Sequence, residues 1–445
     1  MRVLDTIKRF QGWAFAGALA AVLAACGGGG GGAGGNASDS TTGSSGTSGT
    51  TSLALQTSGS NVVTLTVAAG PNPDLPNTGF VTVKVCSPTD ATLCDTIPNV
   101  LVDTGSVGLR VLASKLTNTL SSLTQQVDTT SGNGIDECEV FASSYTWGTV
   151  REASVTLGSE TTSAGQNIQV INDTSTQGPV PTDCDSAGAG NIDNSASSLG
   201  ANGIVGVNGI QYDCGTACVS ASTPVDAYYY RCPSTTSACA SINVPLAKQI
   251  ANVVYGMATD NNGVIIQLPA ISGSGAVSAT GALILGIGTQ SNNALESASP
   301  IPTDAYGDFT ATMNGSSIAN SFVDTGSTAY TFTQSQLGLS ICTDSGLTDF
   351  FCPSSTTTEP VVFTDTSGAS ANRYSGSISI ASAASVLEGA SANYAIDDVA
   401  AVNTYVSISG LDFGMPFFYA RNVYIGNQTG IDGTGGYVAV SPLGS

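Results

Sequence analysis

Asn99-Val-Leu-Val-Asp103-Thr-Gly-Ser106-Val-Gly-Leu-Arg-Val-Leu112 and Asn320-Ser-Phe-Val-Asp324-Thr-Gly-Ser327-Thr-Ala-Tyr-Thr-Phe-Thr333 decide the reading of this chain. Each is an apolar, strand-like run that carries an aspartate into a Thr-Gly-Ser turn and then resumes as alternating apolar residues. Laid over one another, Leu101–Leu116 and Phe322–Leu337 agree at Val, Asp, Thr, Gly and Ser, and again at Ser114/Ser335 and Leu116/Leu337. That is an internal repeat with a carboxylate at its centre. It predicts two similar lobes, folded so that Asp103 and Asp324 face each other.

The length of 445 residues fits two lobes, because a single core stops growing at about 250–300 residues. Composition points to strands: 54 glycines, 41% hydrophobic and only 10% charged residues, with Ser, Thr and Val in place of the Lys, Arg and Glu that build surface helices. The expected fold is all-β, with a few short helices.

The net charge is −21, from 32 acidic and 11 basic residues. So few cations exclude a nucleic-acid partner, whose binding depends on neutralising phosphates. Histidine is absent. Ser-His-Asp and Cys-His catalysis are thereby removed and a zinc enzyme site is disfavoured. No metal or cofactor is expected, and carboxylates remain as the acid–base groups.

At the N-terminus Arg2, Lys8 and Arg9 precede the apolar run Trp13–Ala25, which is short for a membrane span and ends in small residues, as a signal peptide does. Leu23-Ala-Ala-Cys26-Gly27 resembles the bacterial lipobox. The resemblance implies cleavage after residue 25, a lipid on Cys26 and, with Gly27 in place of Asp, sorting to the outer membrane. Residues 26–58 are nearly all Gly, Ser, Thr and Ala, a composition that predicts a disordered tether. The lobes are expected at 59–259 and 260–445.

Ten cysteines remain beyond Cys26, an even number that in an exported chain predicts disulfides. Proximity suggests Cys86 with Cys94 and Cys342 with Cys352. Pairing within Cys214, Cys218, Cys232 and Cys239 stays open. A metal knot there would lack CxxC spacing and any histidine.

Coarse strand signals begin at Asn61: Val62–Val67 alternates, Asn77–Val85 follows a Pro-Asn-Pro turn, and Cys86–Ile97 reads as a stapled hairpin leading to Asp103. Lys115–Leu123 and Asn243–Val253 are predicted as short helices, and Gly263–Leu268 as a strand.

The two Asp-Thr-Gly-Ser stretches resemble the active-site motifs of pepsin-like aspartic peptidases. Asn202-Gly-Ile-Val-Gly206-Val resembles the segment closing the ψ-loop of that family's first lobe, Leu411-Asp-Phe-Gly414-Met-Pro-Phe-Phe its second-lobe counterpart, and Gly281-Ala-Leu-Ile-Leu-Gly the strand opening the second lobe. A single such motif could be a turn capped by its own aspartate; two, each on an apolar strand, are more specific. The resemblance, running from about Asn61 to Pro442, implies a bilobal acid-protease fold. It implies a dyad of Asp103 and Asp324 that activates water for peptide hydrolysis. Thr104 and Thr325 would bond across the lobe interface, Gly105 and Gly326 would permit the tight turns, and Ser106 and Ser327 would bond the outer carboxylate oxygens.

The family's flap tyrosine has no direct match in Val140–Gly158. Gly148 aligns, Phe141 falls in the tyrosine's register, and Tyr145 or Trp147 could substitute after a shift. The Cys-rich insertion at about 184–239, with Tyr228-Tyr-Tyr, and Asp412 before the second ψ-loop glycine are further departures. The functional expectation is a monomeric, envelope-anchored aspartic endopeptidase acting on peptide or protein substrates. The alternative is a catalytically inactive, peptidase-fold binding lipoprotein.

Overall fold

The computed structural model describes residues 52–444 apart from 164, 369–372, 389–392, 405–408 and 431–434. The expected signal segment, Cys26 and most of the tether lie outside the described residues. The last part of the tether does not, and it is docked rather than loose. Leu53 is buried among Ile265, Ile284, Tyr424 and Ala439, the Gln56 amide donates to Gln267 Oε1 at 2.8 Å, and Asn422 Nδ2 donates to Leu53 O at 3.0 Å. Leu53 gives this stretch an apolar side chain to bury, which the Gly/Ser run before it lacks.

The fold is all-β and bilobal. In the first lobe Val81, Val83 and Val85 turn inward while Thr82 and Lys84 stay exposed along Gly79–Cys86. This strand pairs antiparallel with Cys94–Asp103, and the Cys86–Cys94 disulfide joins the directly opposed pair at the hairpin end. The far end of Cys94–Asp103 is buried on both faces, and the strand Gly203–Val207 runs parallel beside it, opposing Gly206 to Asp103. Past the Thr-Gly-Ser turn the chain returns as Val107–Leu112, which takes the other edge of Gly203–Val207. The ψ-strand is thus wedged between the two sides of the aspartate turn. Only glycine fits at 206, where a Cβ would stand 2.5 Å from the Ser106 carbonyl carbon.

The second lobe repeats the device. Asp412–Gly414 runs parallel to Ser316–Asp324, opposing Gly414 to Asp324, and Thr331 of Tyr330–Phe332 opposes Asp412 from the other side. Phe309, Phe363, Phe413 and Phe417 pack this lobe's core with ring centroids 4.4 to 6.4 Å apart.

Hydrogen bonding does not break at residues 259/260. Gly263–Leu268, Ala279–Leu285, Arg421–Gly426 and Tyr437–Pro442 join the 17-stranded sheet that also holds the first lobe, while the second lobe's own sheet has 7 strands between Phe309 and Gly414. The first strand, Val62–Val67, pairs along its whole length with Ala279–Leu285. The two expected helices are not α-helices. Lys115–Leu123 contains only 3-10 turns at Ala113–Lys115 and Leu120–Ser122, and Asn243–Val253 only the turn Leu246–Lys248 before a second begins at Val253. In the latter, Pro245 starts the turn and Gln249 leaves it extended.

All five disulfides form, with Cys138–Cys184, Cys214–Cys218 and Cys232–Cys239 completing the set.

Candidate active site

Asp103 and Asp324 meet at the interface of the two lobes, both fully buried. Their turns hold them in the same way. The Gly105 amide donates to Asp103 Oδ1 at 2.8 Å and the Ser106 hydroxyl to Oδ2 at 2.7 Å. The Gly326 amide donates to Asp324 Oδ1 at 2.7 Å, and Ser327 Oγ lies 2.9 Å from Oδ2. The glycines are required by the close approach of the opposite acid. A Cβ on Gly105 would stand 3.0 Å from the Asp324 carboxyl, and one on Gly326 would stand 2.9 Å from Asp103 Oδ1.

Beneath the carboxyls the threonines cross between lobes. Thr104 Oγ1 donates to Val323 O at 2.9 Å and accepts from the Thr325 amide at 2.9 Å; Thr325 Oγ1 donates to Val102 O at 2.7 Å and accepts from the Thr104 amide at 3.1 Å. Each hydroxyl spends its one proton and a lone pair on the other lobe. The two aspartates are thereby fixed to one frame.

Burial raises Asp103 well above the usual carboxylate range, and the facing Asp324 charge raises it further. Burial raises Asp324 as well, and donation from Asp103, Gly326 and Ser327 offsets only part of that rise. The pair therefore shares a proton, with one carboxyl neutral while the other is ionised. Such an arrangement offers one acid and one base within reach of a single reacting group.

A third carboxyl stands behind Asp324: buried Asp412 places Oδ2 2.6 Å from Ser327 Oγ. On another side Asn77, with φ of 53°, ties the lobes together. Its amide donates to Thr328 O and Ile396 O at 2.8 and 2.7 Å, and its oxygen accepts from the Ile396 amide and Tyr419 hydroxyl at 2.8 and 3.1 Å. A cavity of about 240 Å³ between the lobes reaches Thr104 and Gly105, with Asn208, Asp308, Phe322 and Tyr437 among its walls.

The flap candidates lie on the hairpin of Gly134–Val140 and Tyr145–Leu157. Tyr145 and Trp147 are buried in one cluster with Cys138, Cys184 and Tyr230. The Tyr145 hydroxyl donates to Asp185 Oδ1 at 2.9 Å, and the Trp147 indole donates to Gly178 O at 2.9 Å. Phe141 packs in a different cluster with Leu112, Ile171 and Leu199. A Cβ on Gly148 would meet Val170 O at 2.1 Å. The insertion thus covers this hairpin: Cys184 staples it through Cys138, and the Tyr145 amide donates to Asn191 O at 2.9 Å.

Sequence reading missed a buried ion cluster in the same lobe. Arg110 Nη2 lies 2.6 Å from Glu137 Oε1, 2.6 Å from Glu139 Oε2 and 3.8 Å from Asp213 Oδ2. The signal was Asp136-Glu-Cys-Glu139, acids on both faces of one strand. With a guanidinium already among the three carboxyls, the cluster is not a metal cradle. Among the described residues the other possible ligand group, Asp136 with Cys232 and Cys239, offers no thiolate because the two cysteines are bonded to each other.

No curated protein matches the chain. Among solved structures it is similar to the crystal structure of the aspartic proteinase from Irpex lacteus, with 16% identity, 86% of this chain and 97% of that chain covered, and a TM-score of 0.47. Residues 57–440 match the family described as "Protein of unknown function (DUF3443)", and it is to this family that the chain belongs.

Proposed function

We propose that the chain is an aspartic-type endopeptidase, held to the bacterial cell envelope by a lipid on Cys26 and acting on peptide or protein substrates. The observation that carries this reading is the pairing of two buried carboxyls in matching hydrogen-bond frames, joined by Thr104 and Thr325. In the mechanism it supports, the Asp324 carboxylate takes a proton from water placed between the acids, while Asp103 donates toward the substrate carbonyl oxygen. Water attacks the carbonyl carbon directly, and no covalent intermediate forms. The Asp103 proton quenches the charge on the tetrahedral oxygen; the C–N bond then breaks as Asp324 passes the proton it took from water to the leaving amine, and Asp103 recovers its proton as the carboxylic acid product forms.

The test uses the full chain with Cys26→Ser, incubated with unfolded protein between pH 3 and 8. Cleavage is expected at mildly acidic pH, blocked by a statine-type inhibitor. Asp324→Asn and Asp103→Asn should each lower kcat/KM by about 10²- to 10⁴-fold with the circular dichroism spectrum unchanged. Undiminished cleavage in both variants, or none from the parent across this range, sinks the proposal.

A second reading is favoured by the full burial of both aspartates and by the packing of Tyr145 and Trp147 away into the stapled insertion. In it the lobes form a binding protein without catalysis. A partner whose affinity is unchanged in Asp324→Asn would support it.

A further inference from the structure

The second lobe carries a buried acid where the first has a hydrocarbon. Gly206 opposes Asp103 and Ile204 opposes Leu101; Gly414 opposes Asp324 and Asp412 opposes Phe322. Asp412 therefore occupies the register of Ile204. Its side chain is fully buried, 2.6 Å from Ser327 Oγ, which is itself 2.9 Å from Asp324 Oδ2. A serine hydroxyl has one proton. It cannot donate to two carboxylates at once, so one end of this chain must bring a proton of its own. Asp324 is already served by the Gly326 amide and faces Asp103. Among the described ion pairs none involves Asp412, and an unpaired buried carboxylate is costly.

We propose that Asp412 is a positioning residue of the dyad: as the neutral acid it donates to Ser327 Oγ, so that Ser327 donates its own proton to Asp324 Oδ2. The inference rests on reading the dyad as catalytic. Its consequence is asymmetry. Ser106 serves Asp103 with no third acid behind it, whereas the Ser327 hydroxyl is polarised by Asp412 and holds Asp324 as the anion. The shared proton is thereby kept on Asp103.

The groups around Asp412 are few. Asp324 is the titratable residue of the adjoining motif strand Ser316–Asp324, and Asp103 lies beyond it. On Tyr330–Phe332, Thr331 opposes Asp412, its hydroxyl nearby but outside hydrogen-bond geometry. Tyr330 alternates to the other face, toward Arg421, Asp397 and Asp398. The turn Met415–Phe418 carries no titratable side chain.

The test compares the full Cys26→Ser chain with Asp412→Asn and Asp412→Ile in that background. Two readouts are taken: the acid limb of kcat/KM against pH, and the titration of the Asp103 and Asp324 carboxyl carbons by NMR, which needs no turnover. Asparagine can still donate to Ser327 and should keep the parent acid limb. Isoleucine, the first-lobe residue, cannot, and should move it up by about half a unit to one unit. Should Asp412→Ile not fold, Ser327→Ala cuts the link from the other end and should raise the same carboxyl titration. A downward shift in both Asp412 variants would mean that a charge has been removed and would overturn the proposal. So would unmoved titrations accompanied only by a lower Tm. Carboxyl titrations that shift as expected without any turnover would overturn the peptidase reading while upholding this one.

Discussion

The cross-strand pair two residues before the ψ-loop glycine is used differently in the two lobes. In the first, Ile204 opposes Arg110; in the second, Asp412 opposes Thr331. Arg110 sends its guanidinium away from the dyad, into Glu137, Glu139 and Asp213. Asp412 instead reaches Ser327, one hydrogen bond from Asp324. The Asp-Thr-Gly-Ser turns themselves are nearly superposable in their hydrogen bonds, since each must hold a carboxylate against the other lobe. One pair of residues further out, that demand ends. There the two copies are free to differ, provided each buried polar group finds a partner.

The largest effect expected from breaking this comparison is at Arg110. Arg110→Met keeps the bulk but removes the cation that serves Glu137 and Glu139, and should destabilise the protein by about 3–5 kcal/mol in urea unfolding. The matched change in the other lobe, Thr331→Val, removes a hydroxyl without stranding a charge and should stay within about 1 kcal/mol. Equal costs would show that the two registers are not used differently.

Acidity should separate the lobes next. Burial pushes Asp136 up to about 7, and burial outweighs Arg110 in pushing Glu139 up to about 8; both sit on the hairpin strand Gly134–Val140. At the edge of the second lobe Asp398 is pushed up to about 6 by burial and then by Asp397. A carboxyl raised in the folded state binds its proton more tightly there than in the unfolded chain. The stability these three groups contribute is therefore full below about pH 4 and is lost as the pH rises toward 8. Tm should fall between pH 5 and 8, and Asp136→Asn should flatten the fall. Amide protection should drop more in Gly134–Val140 than in Thr357–Thr364. A Tm that rises over this interval would reverse the sign of the argument.

What could be read from the chain alone follows the same division. The aspartate turns were legible because their demands are local: an acid, a glycine that lets the opposite carboxyl approach, and a hydroxyl three residues on. The β-rich lobes were legible from alternation along Val81–Val85 and Val62–Val67. The Arg110 cluster was not, because Glu137 and Glu139 lie far along the chain from Arg110, and only the register of Gly134–Val140 brings them inside. The same holds for Cys138–Cys184, where no proximity in sequence indicates the pair. Lys115–Leu123 was misread as a helix. Its Leu116, Leu120 and Leu123 suggest helical spacing, but Asp95 instead captures the Asn118 and Thr119 amides at 3.0 Å and holds a turn.

A smaller effect than that at Arg110 tests the part of the comparison where the lobes agree. Thr104→Val and Thr325→Val each delete a hydroxyl that donates to one carbonyl and accepts from one amide of the opposite lobe. Removing it leaves Val323 O or Val102 O without that donor, together with one orphaned amide, all of them buried. The cost should be about 1–3 kcal/mol for either change. Because the two threonines exchange equivalent bonds, the two losses should match. The double variant should cost about the sum of the two, since each change deletes a different pair of the four bonds and the double variant loses all four. Unequal losses would mean that one lobe, rather than the contact between them, carries the frame. A double variant no worse than either single would mean that the four bonds act as one unit, lost whole when either hydroxyl goes.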